Sequence, residues 1–172
     1  MNIFVNEYNR YRDLLIMTVE QLDDKSFFKS VGDSSNSVAL IIKHLNGNLL
    51  SRFSDFLTSD GEKEWRNRDS EFELENISRD KLMAEWDKAW QVLQDSVYNL
   101  SGQDMKRTVT IRGVSFTVEE ALARSLAHLS YHVGQIVFLG KWFRGNQWHY
   151  LSIAPGQSSS YNKNPSREKG FR

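Results

Sequence analysis

Apolar residues recur at intervals of three and four along four long stretches of the chain, which cover residues 2–22, 37–59, 78–101 and 117–144. This spacing places the apolar side chains on one face of an α-helix and the polar ones on the opposite face. The pattern therefore predicts an all-α domain in which four amphipathic helices bury their apolar faces against one another.

The last of these helices has the most clearly marked ends. Thr117 followed by Glu120 has the form of a capping box, in which each side chain satisfies a backbone donor at the start of a helix. Gly145 follows directly after the last apolar position, and glycine commonly ends helices. The inner face between these ends comprises Leu122, Leu126, Leu129, Val133, Ile136, Val137, Leu139 and Phe143. The helix at 117–144 is thus the element around which we expect the chain to be organised.

Two connecting segments have a character of their own. Residues 62–76 are rich in charge and have no clean period, and an ordered crossover of this length is often functional. The segment lacks the ligand spacing and central glycine of an EF-hand, which excludes a calcium loop of that type. Residues 106–118, KRTVTIRGVSFTV, show an alternating pattern rich in β-branched residues on both sides of Arg112 and Gly113. This pattern predicts a short β-hairpin.

Together these elements predict a four-helix bundle, with one long crossover between the second and third helices and a small β-hairpin before the fourth. A chain of 172 residues fits one domain and can bury a proper core. We expect that domain to span residues 1–160. Periodicity is lost after Gly145, and residues 161–172 are predicted to be a flexible tail.

Composition narrows the function classes. The formal net charge is zero, which argues against a nucleic-acid binder that relies on neutralising phosphates. No apolar run approaches the roughly 20 residues of a membrane span, and the first 15 residues carry charges throughout, so we expect a cytoplasmic protein. The chain has no cysteine, and any metal site must use imidazole, carboxylate, amide or water.

Three of the four histidines carry the candidate chemistry. His128 and His132 are four residues apart and therefore share one face of the last helix, while His44 lies on the inner face of the second. A single inward histidine is usually a core residue whose nitrogens are hydrogen-bonded. Two stacked imidazoles and a third from another helix favour a metal site instead. Leu129 stands where zinc metalloproteases have their general-base glutamate, which excludes a protease of that type. His149 is expected to have a structural role in the tail.

Three neutral imidazoles suit zinc, nickel, iron or cobalt, and affinity alone does not choose among them. A structural zinc site normally has four protein ligands, so three ligands leave a position for water or substrate. A metal there can lower the pKa of a bound water or thiol and generate a nucleophile near neutral pH. Asn48 and Gln135 lie close to the histidines in sequence, and either can orient a ligand or a substrate, or simply be a satisfied core residue. Tyr131 and Arg52 are weaker candidates.

The order of four sequence runs resembles a known group of proteins. These runs are KHLNGN at 43–48, the longer run at 51–72, AHLSYHVGQI at 127–136 and WHYLSIAPGQS at 148–158. Together they resemble the DinB/YfiT-like metalloenzyme superfamily of bacterial bundles, and a largely uncharacterised DinB-like subfamily within it.

The resemblance implies an up-down-down-up four-helix bundle with His44, His128 and His132 as the metal ligands. Nickel or zinc is the metal implied, and some relatives transfer or isomerise adducts of low-molecular-weight thiols. The resemblance also implies a homodimer.

Three hypotheses follow. In the first, the protein is a metal-dependent enzyme, a thiol transferase or hydrolase that acts on a small substrate with water or a thiol co-substrate. In the second, it is a non-catalytic, dimeric bundle that binds a metal or a small molecule. In the third, the histidines are only packed in a plain structural bundle.

Overall fold

The computed structural model describes residues 3–165, and in this range the chain is mostly helical with one small two-stranded antiparallel sheet. The α-helices are α1 (Ile3–Val19), α2 (Asp24–Phe28), α3 (Val38–Phe53), α4 (Arg79–Tyr98), α5 (Val118–Arg144) and α6 (Ser158–Lys163). The strands are β1 (Thr108–Ile111) and β2 (Val114–Thr117). Among the helices from residue 3 to residue 165, none combines the length and apolar character needed to cross a bilayer.

Side-chain caps explain why the long helices begin where they do. The hydroxyl of Ser37 accepts a hydrogen bond from the backbone N–H of Leu40 at the start of α3, and Ser78 does the same for Lys81 at the start of α4. At α5 both halves of the Thr117–Glu120 capping box are formed, as predicted. Each cap satisfies backbone donors that the first helical turn leaves without an intrahelical partner.

The C-terminal end of α3 differs from the prediction. The helix was expected to continue to residue 59, but it ends at Phe53, and residues 54–59 form turns. Asp55 has a φ of 49°, and its carbonyl accepts hydrogen bonds from the N–H groups of Thr58 and Ser59. The apolar spacing continues through Phe56 because that side chain still packs on the core, although the backbone has already left the helix.

The four long helices pack around one apolar core. α3 lies against α4 and α1 against α5, with further contacts between α3 and α5 and between α1 and α4. The largest fully buried side chains come from all four, and burying each one contributes roughly 1.5–3 kcal/mol. They include Tyr8, Leu15, Ile42, Leu45, Leu49, Phe53, Leu82, Trp86, Leu93, Leu122 and Leu129. The hydroxyl of buried Tyr8 donates to the carbonyl of Leu122, which ties α1 to α5.

The predicted β-hairpin is confirmed. Arg112 and Gly113 form its two-residue turn, and both have positive φ, 55° and 74°, as in the tight turn whose twist matches antiparallel strands. The carboxylate of Asp60 accepts hydrogen bonds from the N–H groups of Arg112 and Gly113, both at 2.8 Å. The hairpin is therefore fastened to the turn that follows α3.

The crossover and the tail complete the chain. Residues 62–76 contain one 3-10 turn, Asp69–Phe72, that packs on α3. In the tail, Trp148 and Leu151 are buried, and α6 continues to Lys163, past the boundary predicted at residue 160. Residues 166–172 of the predicted flexible tail lie outside the described residues. The division into one domain and a flexible tail stays a prediction.

Candidate metal centre

The fold brings the three predicted histidines together. His44 projects from α3 and His128 and His132 from successive turns of α5. One ring nitrogen of each lies within 4.8 Å of the others, and the Nε2 atoms of His44 and His128 are 3.2 Å apart. His44 and His132 are buried and His128 is partly buried. The arrangement thus places three donor nitrogens at one point between two helices.

Outward hydrogen bonds orient two of the rings. Nδ1 of His44 lies 2.8 Å from the Glu71 carboxylate, and Nδ1 of His132 lies 2.8 Å from Oε1 of Gln135. An ionised carboxylate only accepts hydrogen bonds, as does the amide oxygen of Gln135, so each Nδ1 carries the hydrogen. Both Nε2 atoms therefore turn a lone pair toward the cluster, as in metal sites whose histidines are oriented by outer partners.

The donor set fits a metal ion. Nε2 of His132 is buried without a hydrogen-bond partner among the described residues, which is costly for a polar atom unless something binds it. Tetrahedral coordination with metal–nitrogen bonds of about 2.0–2.1 Å separates two ligand nitrogens by about 3.3 Å. The 3.2 Å between His44 and His128 is close to that separation. That these residues bind a metal is still a prediction.

The electrostatic environment keeps imidazoles neutral. Burial lowers the pKa of His128 to about 3, and the positive charges of neighbouring groups add to the shift. Burial also lowers the pKa of His132 to about 4, although its hydrogen bond to Gln135 opposes the change. Near pH 7 both rings are therefore neutral, which is the form that coordinates a transition metal.

Glu71 is a part of the site that sequence reasoning missed. Its carboxylate contacts His44 on one side and the guanidinium of Arg66 on the other, with Nε–Oε1 and Nη2–Oε2 distances of 2.8 and 3.1 Å. Burial raises the pKa of Glu71, but the hydrogen bonds from His44 and Arg66 outweigh it and hold the pKa below its usual value. The crossover at 62–76 therefore supplies an ionised group that fixes His44.

A glycine makes room for this carboxylate. A Cβ atom added to Gly47, on the adjoining face of α3, would lie 2.2 Å from Oε1 of Glu71. Such a distance is impossible without a shift of the carboxylate, so the close approach requires glycine here. A glycine within an otherwise apolar-periodic helix was the sequence signal for this approach.

An open cavity of about 640 Å³ reaches the histidines from the surface, a size typical of small-molecule sites. His44 and His128 line its inner part, together with Asn48. Asn48 is only 8% exposed, and its side chain makes no hydrogen bond to any residue between 3 and 165. The two predicted supporting residues thus differ in position: Gln135 contacts a histidine, while Asn48 faces the cavity.

The weaker candidates occupy different positions. Tyr131 lines the cavity and packs its ring 4.1 Å from that of His132, although it is 53% exposed. Arg52 also lines the cavity and pairs with Glu62 at 3.0 Å. His149 is exposed, and its backbone exchanges two hydrogen bonds with the side chain of Gln21, which lies just after α1. It is not a member of the histidine cluster.

Fold and site together define a mostly helical protein with a cluster of three histidines, two of which line a cavity. The chain belongs to the family described as "Protein of unknown function (DUF1572)", which matches residues 1–157. Comparison with curated proteins and with solved structures gives no match.

Proposed function

We propose that the protein is a metalloenzyme of the DinB/YfiT-like type, in which the four long helices form an up-down-down-up bundle. His44, His128 and His132 hold one divalent transition metal, zinc or nickel. The observation that carries the proposal is the convergence of three imidazole nitrogens within 4.8 Å, one of them buried and otherwise unpartnered.

The reaction proposed is transfer to, or hydrolysis of, a small substrate, with a low-molecular-weight thiol or water as the nucleophile. A divalent metal supplies the Lewis acidity that lowers the pKa of water or a thiol to near neutrality. Three protein ligands leave room for such a group, and the cavity beside His44 and His128 gives it access.

The remaining residues of the site orient the histidines or contact the substrate. Glu71 and Gln135 keep His44 and His132 in the tautomer that turns Nε2 inward. Asn48 offers an unpartnered amide one helical turn from His44, where it can bind a substrate atom. Tyr131 shields the histidine rings from the solvent side.

Metal analysis of protein purified without a histidine tag tests the proposal. We expect close to one transition-metal ion per chain, and its loss in the double variant His128→Ala/His132→Ala. His149→Ala is the matched control, since that histidine lies outside the cluster, and should keep full metal content. Full metal content in the double variant would exclude the site.

Enzyme and non-catalytic binder differ in turnover. Conjugation of a model electrophile with a low-molecular-weight thiol should proceed at a chelator-sensitive rate for the enzyme, and that rate should be absent in the double variant. A protein that retains one metal per chain but gives no chelator-sensitive rate with a range of thiols and electrophiles would be the binding module instead.

The second candidate function is a non-catalytic binding module. Both candidate functions include a homodimer. Phe138 and Trp142 are 61% and 63% exposed on one side of α5, which gives that helix an apolar outer face. We propose that a second copy covers it. Light scattering should give twice the mass of one chain, and Phe138→Ser/Trp142→Ser should reduce it to that of the monomer.

A further inference from the structure

Positive charge is concentrated around the cavity that leads to the histidines. Five arginines line it, and no aspartate or glutamate does so among residues 3–165. The arginines are Arg52, Arg66, Arg68, Arg112 and Arg124. They come from α3, the crossover, the hairpin turn and α5, so that the cavity is surrounded by guanidinium groups rather than flanked by them on one side.

Two carboxylates that pair with these arginines, without lining the cavity themselves, neutralise only part of this charge. Glu62 contacts Arg52, Arg66 and Arg112 at 3.0, 3.3 and 3.2 Å. Glu71 is shared between Arg66 and His44. Three of the five guanidinium groups share these two carboxylates, which leaves an excess of positive charge in the lining.

The excess is greatest at the mouth. Arg68 and Arg124 are exposed, and their guanidinium groups form no ion pair or hydrogen bond with any residue of the described part of the chain. Arg68 only stacks on Phe72, with its guanidinium carbon 5.3 Å from the ring centroid. Stacking restricts the side chain while its N–H donors remain free. These donors are the ones available to an incoming anion.

Deeper in the cavity the lining changes character. Phe53, Phe56 and Ile111 provide apolar walls. Asn48 lies at this level, more than nine-tenths buried, and its amide has no hydrogen-bond partner among the residues described. The amide is open to the cavity, so a ligand there can hydrogen-bond to it. The cavity thus combines an electropositive mouth, apolar walls and a polar group beside the histidines.

We propose that the substrate of this site is a small molecule with an apolar body and a carboxylate or phosphate group. Arg68 and Arg124, assisted by Arg112, bind the anionic group at the mouth, and Asn48 hydrogen-bonds the part that reaches His44. The assignment of this molecule as substrate rests on the proposed metal-dependent function. Bidentate geometry makes arginine suited to both anions.

Calorimetry with the full chain, before and after metal loading, tests the anion site. The probes are phenyl phosphate and 3-phenylpropionate, with neutral 3-phenylpropanamide as the matched uncharged compound. We expect at least one anion to bind ten times or more tightly than the amide, and the stronger of the two identifies the preferred group. Equal affinity of the amide and both anions would overturn the proposal.

Substitutions of the arginines at the mouth test where the anion binds. Because hydrogen bonds to charged groups are worth about 1.5–3 kcal/mol, Arg68→Gln and Arg124→Gln should each weaken the bound anion about tenfold. The matched control is Lys88→Gln, which removes the same charge from an exposed position of α4 outside the cavity and should change nothing. Unchanged affinity in the Arg68→Gln/Arg124→Gln double variant would contradict the assignment.

Asn48→Leu separates a binding role from a structural one. The side chain has no partner to lose, so the melting temperature should be unchanged or higher, while probe affinity falls about three- to tenfold. A lower melting temperature with unchanged affinity would show that Asn48 only supports the fold.

Metal content is measured on the same samples, so that the metal-dependent function and the anion site can be refuted separately. The arginine variants should keep one metal per chain, since none of these arginines is a ligand. His128→Ala/His132→Ala should lose the metal but still bind the preferred anion through Arg68 and Arg124. A parent chain that takes up no metal but binds the anions would refute the metalloenzyme and leave the anion site standing. A metal-loaded chain that binds neither anion would refute the anion site and leave the metal site standing.

Discussion

Two histidines of the cluster are held by different kinds of partner. His44 donates to Glu71, an ionised carboxylate that arrives on the crossover, 27 residues further along the chain, and is itself fixed by Arg66. His132 donates to Gln135, three residues further along the same helix. The first support depends on the tertiary fold, while the second follows from helix geometry. We infer that loss of the partner of His44 lowers both stability and metal affinity. Loss of the partner of His132 lowers mainly metal affinity.

The largest effect is expected for Glu71→Ala. It removes the carboxylate from a guanidinium whose side chain is only 2% exposed. Breaking a buried ion pair costs about 3–5 kcal/mol, and we expect the lower end because Glu62 still contacts Arg66 at 3.3 Å. Metal affinity should fall about 10–100-fold, because His44 loses its orienting partner. Urea unfolding of the metal-free chain and zinc competition measure the two quantities.

The control for this change is Glu64→Ala, which removes an exposed carboxylate from the same crossover and should be neutral. If Glu71→Ala lowered stability but left zinc affinity unchanged, the crossover would support the fold without orienting His44.

Gly47→Ala should disturb the same support from the opposite side. Its methyl group would collide with the Glu71 carboxylate, which the contacts to His44 and Arg66 hold in place. Overpacking of this kind costs about 1–3 kcal/mol, more than the roughly 1 kcal/mol that alanine contributes over glycine in a helix. We expect a net loss of stability and weaker metal binding.

Gly134→Ala is the matched control on α5, because nothing lies within 4 Å of a Cβ added there. It should stabilise the protein by about 0.5–1 kcal/mol. If both substitutions proved stabilising in denaturant titrations, the close approach of Glu71 to α3 would be wrong.

Asp60→Asn extends the comparison to the hairpin that borders the cavity. Partial burial opposes ionisation of Asp60, but hydrogen bonds from Gly113, Glu62 and Arg112 outweigh it and hold its pKa below the usual value. The unfolded chain therefore binds more protons near and below pH 4, so this contribution is present above that pH and is lost as the pH falls. The variant should lose about 1–2 kcal/mol at pH 7.

Urea titrations at pH 7 and pH 3 measure this effect. The difference between Asp60→Asn and the parent chain should shrink at the lower pH, because the Asp60 carboxylate of the unfolded chain is then largely protonated while that of the folded chain is not. A difference that stays constant or grows would show that the Asp60 charge does not hold the hairpin turn.

Gln135→Ala should have the smallest effect on stability, within about 0.5 kcal/mol, because the side chain is exposed. Metal affinity should still fall, by about tenfold at most, since His132 loses only a neutral acceptor. Gln91→Ala, the same change on the exposed side of α4, controls for loss of an exposed glutamine. Equal loss of affinity in Gln135→Ala and Glu71→Ala would remove the distinction between the two supports.

The local features were the ones that could be predicted. Thr117 and Glu120 cap α5 as expected, and Arg112 and Gly113 turn the hairpin. These depend on residues within four positions of one another, where spacing alone fixes the geometry. The end of α3 was predicted wrongly because the apolar spacing continues through Phe56, while the conformation of Asp55 has already turned the chain. The homodimer, the metal and the cellular location stay predictions.

By itself the sequence determined that four long helices form and which histidines share a helical face, because hydrophobic period and capping chemistry act over a few residues. Only the tertiary structure decided that His44 meets His128, that Glu71 reaches His44 across the crossover, and that arginines from four separate segments surround one cavity. The physical reason is that these groups are far apart along the chain, and only the packing of the apolar core sets the distances between them.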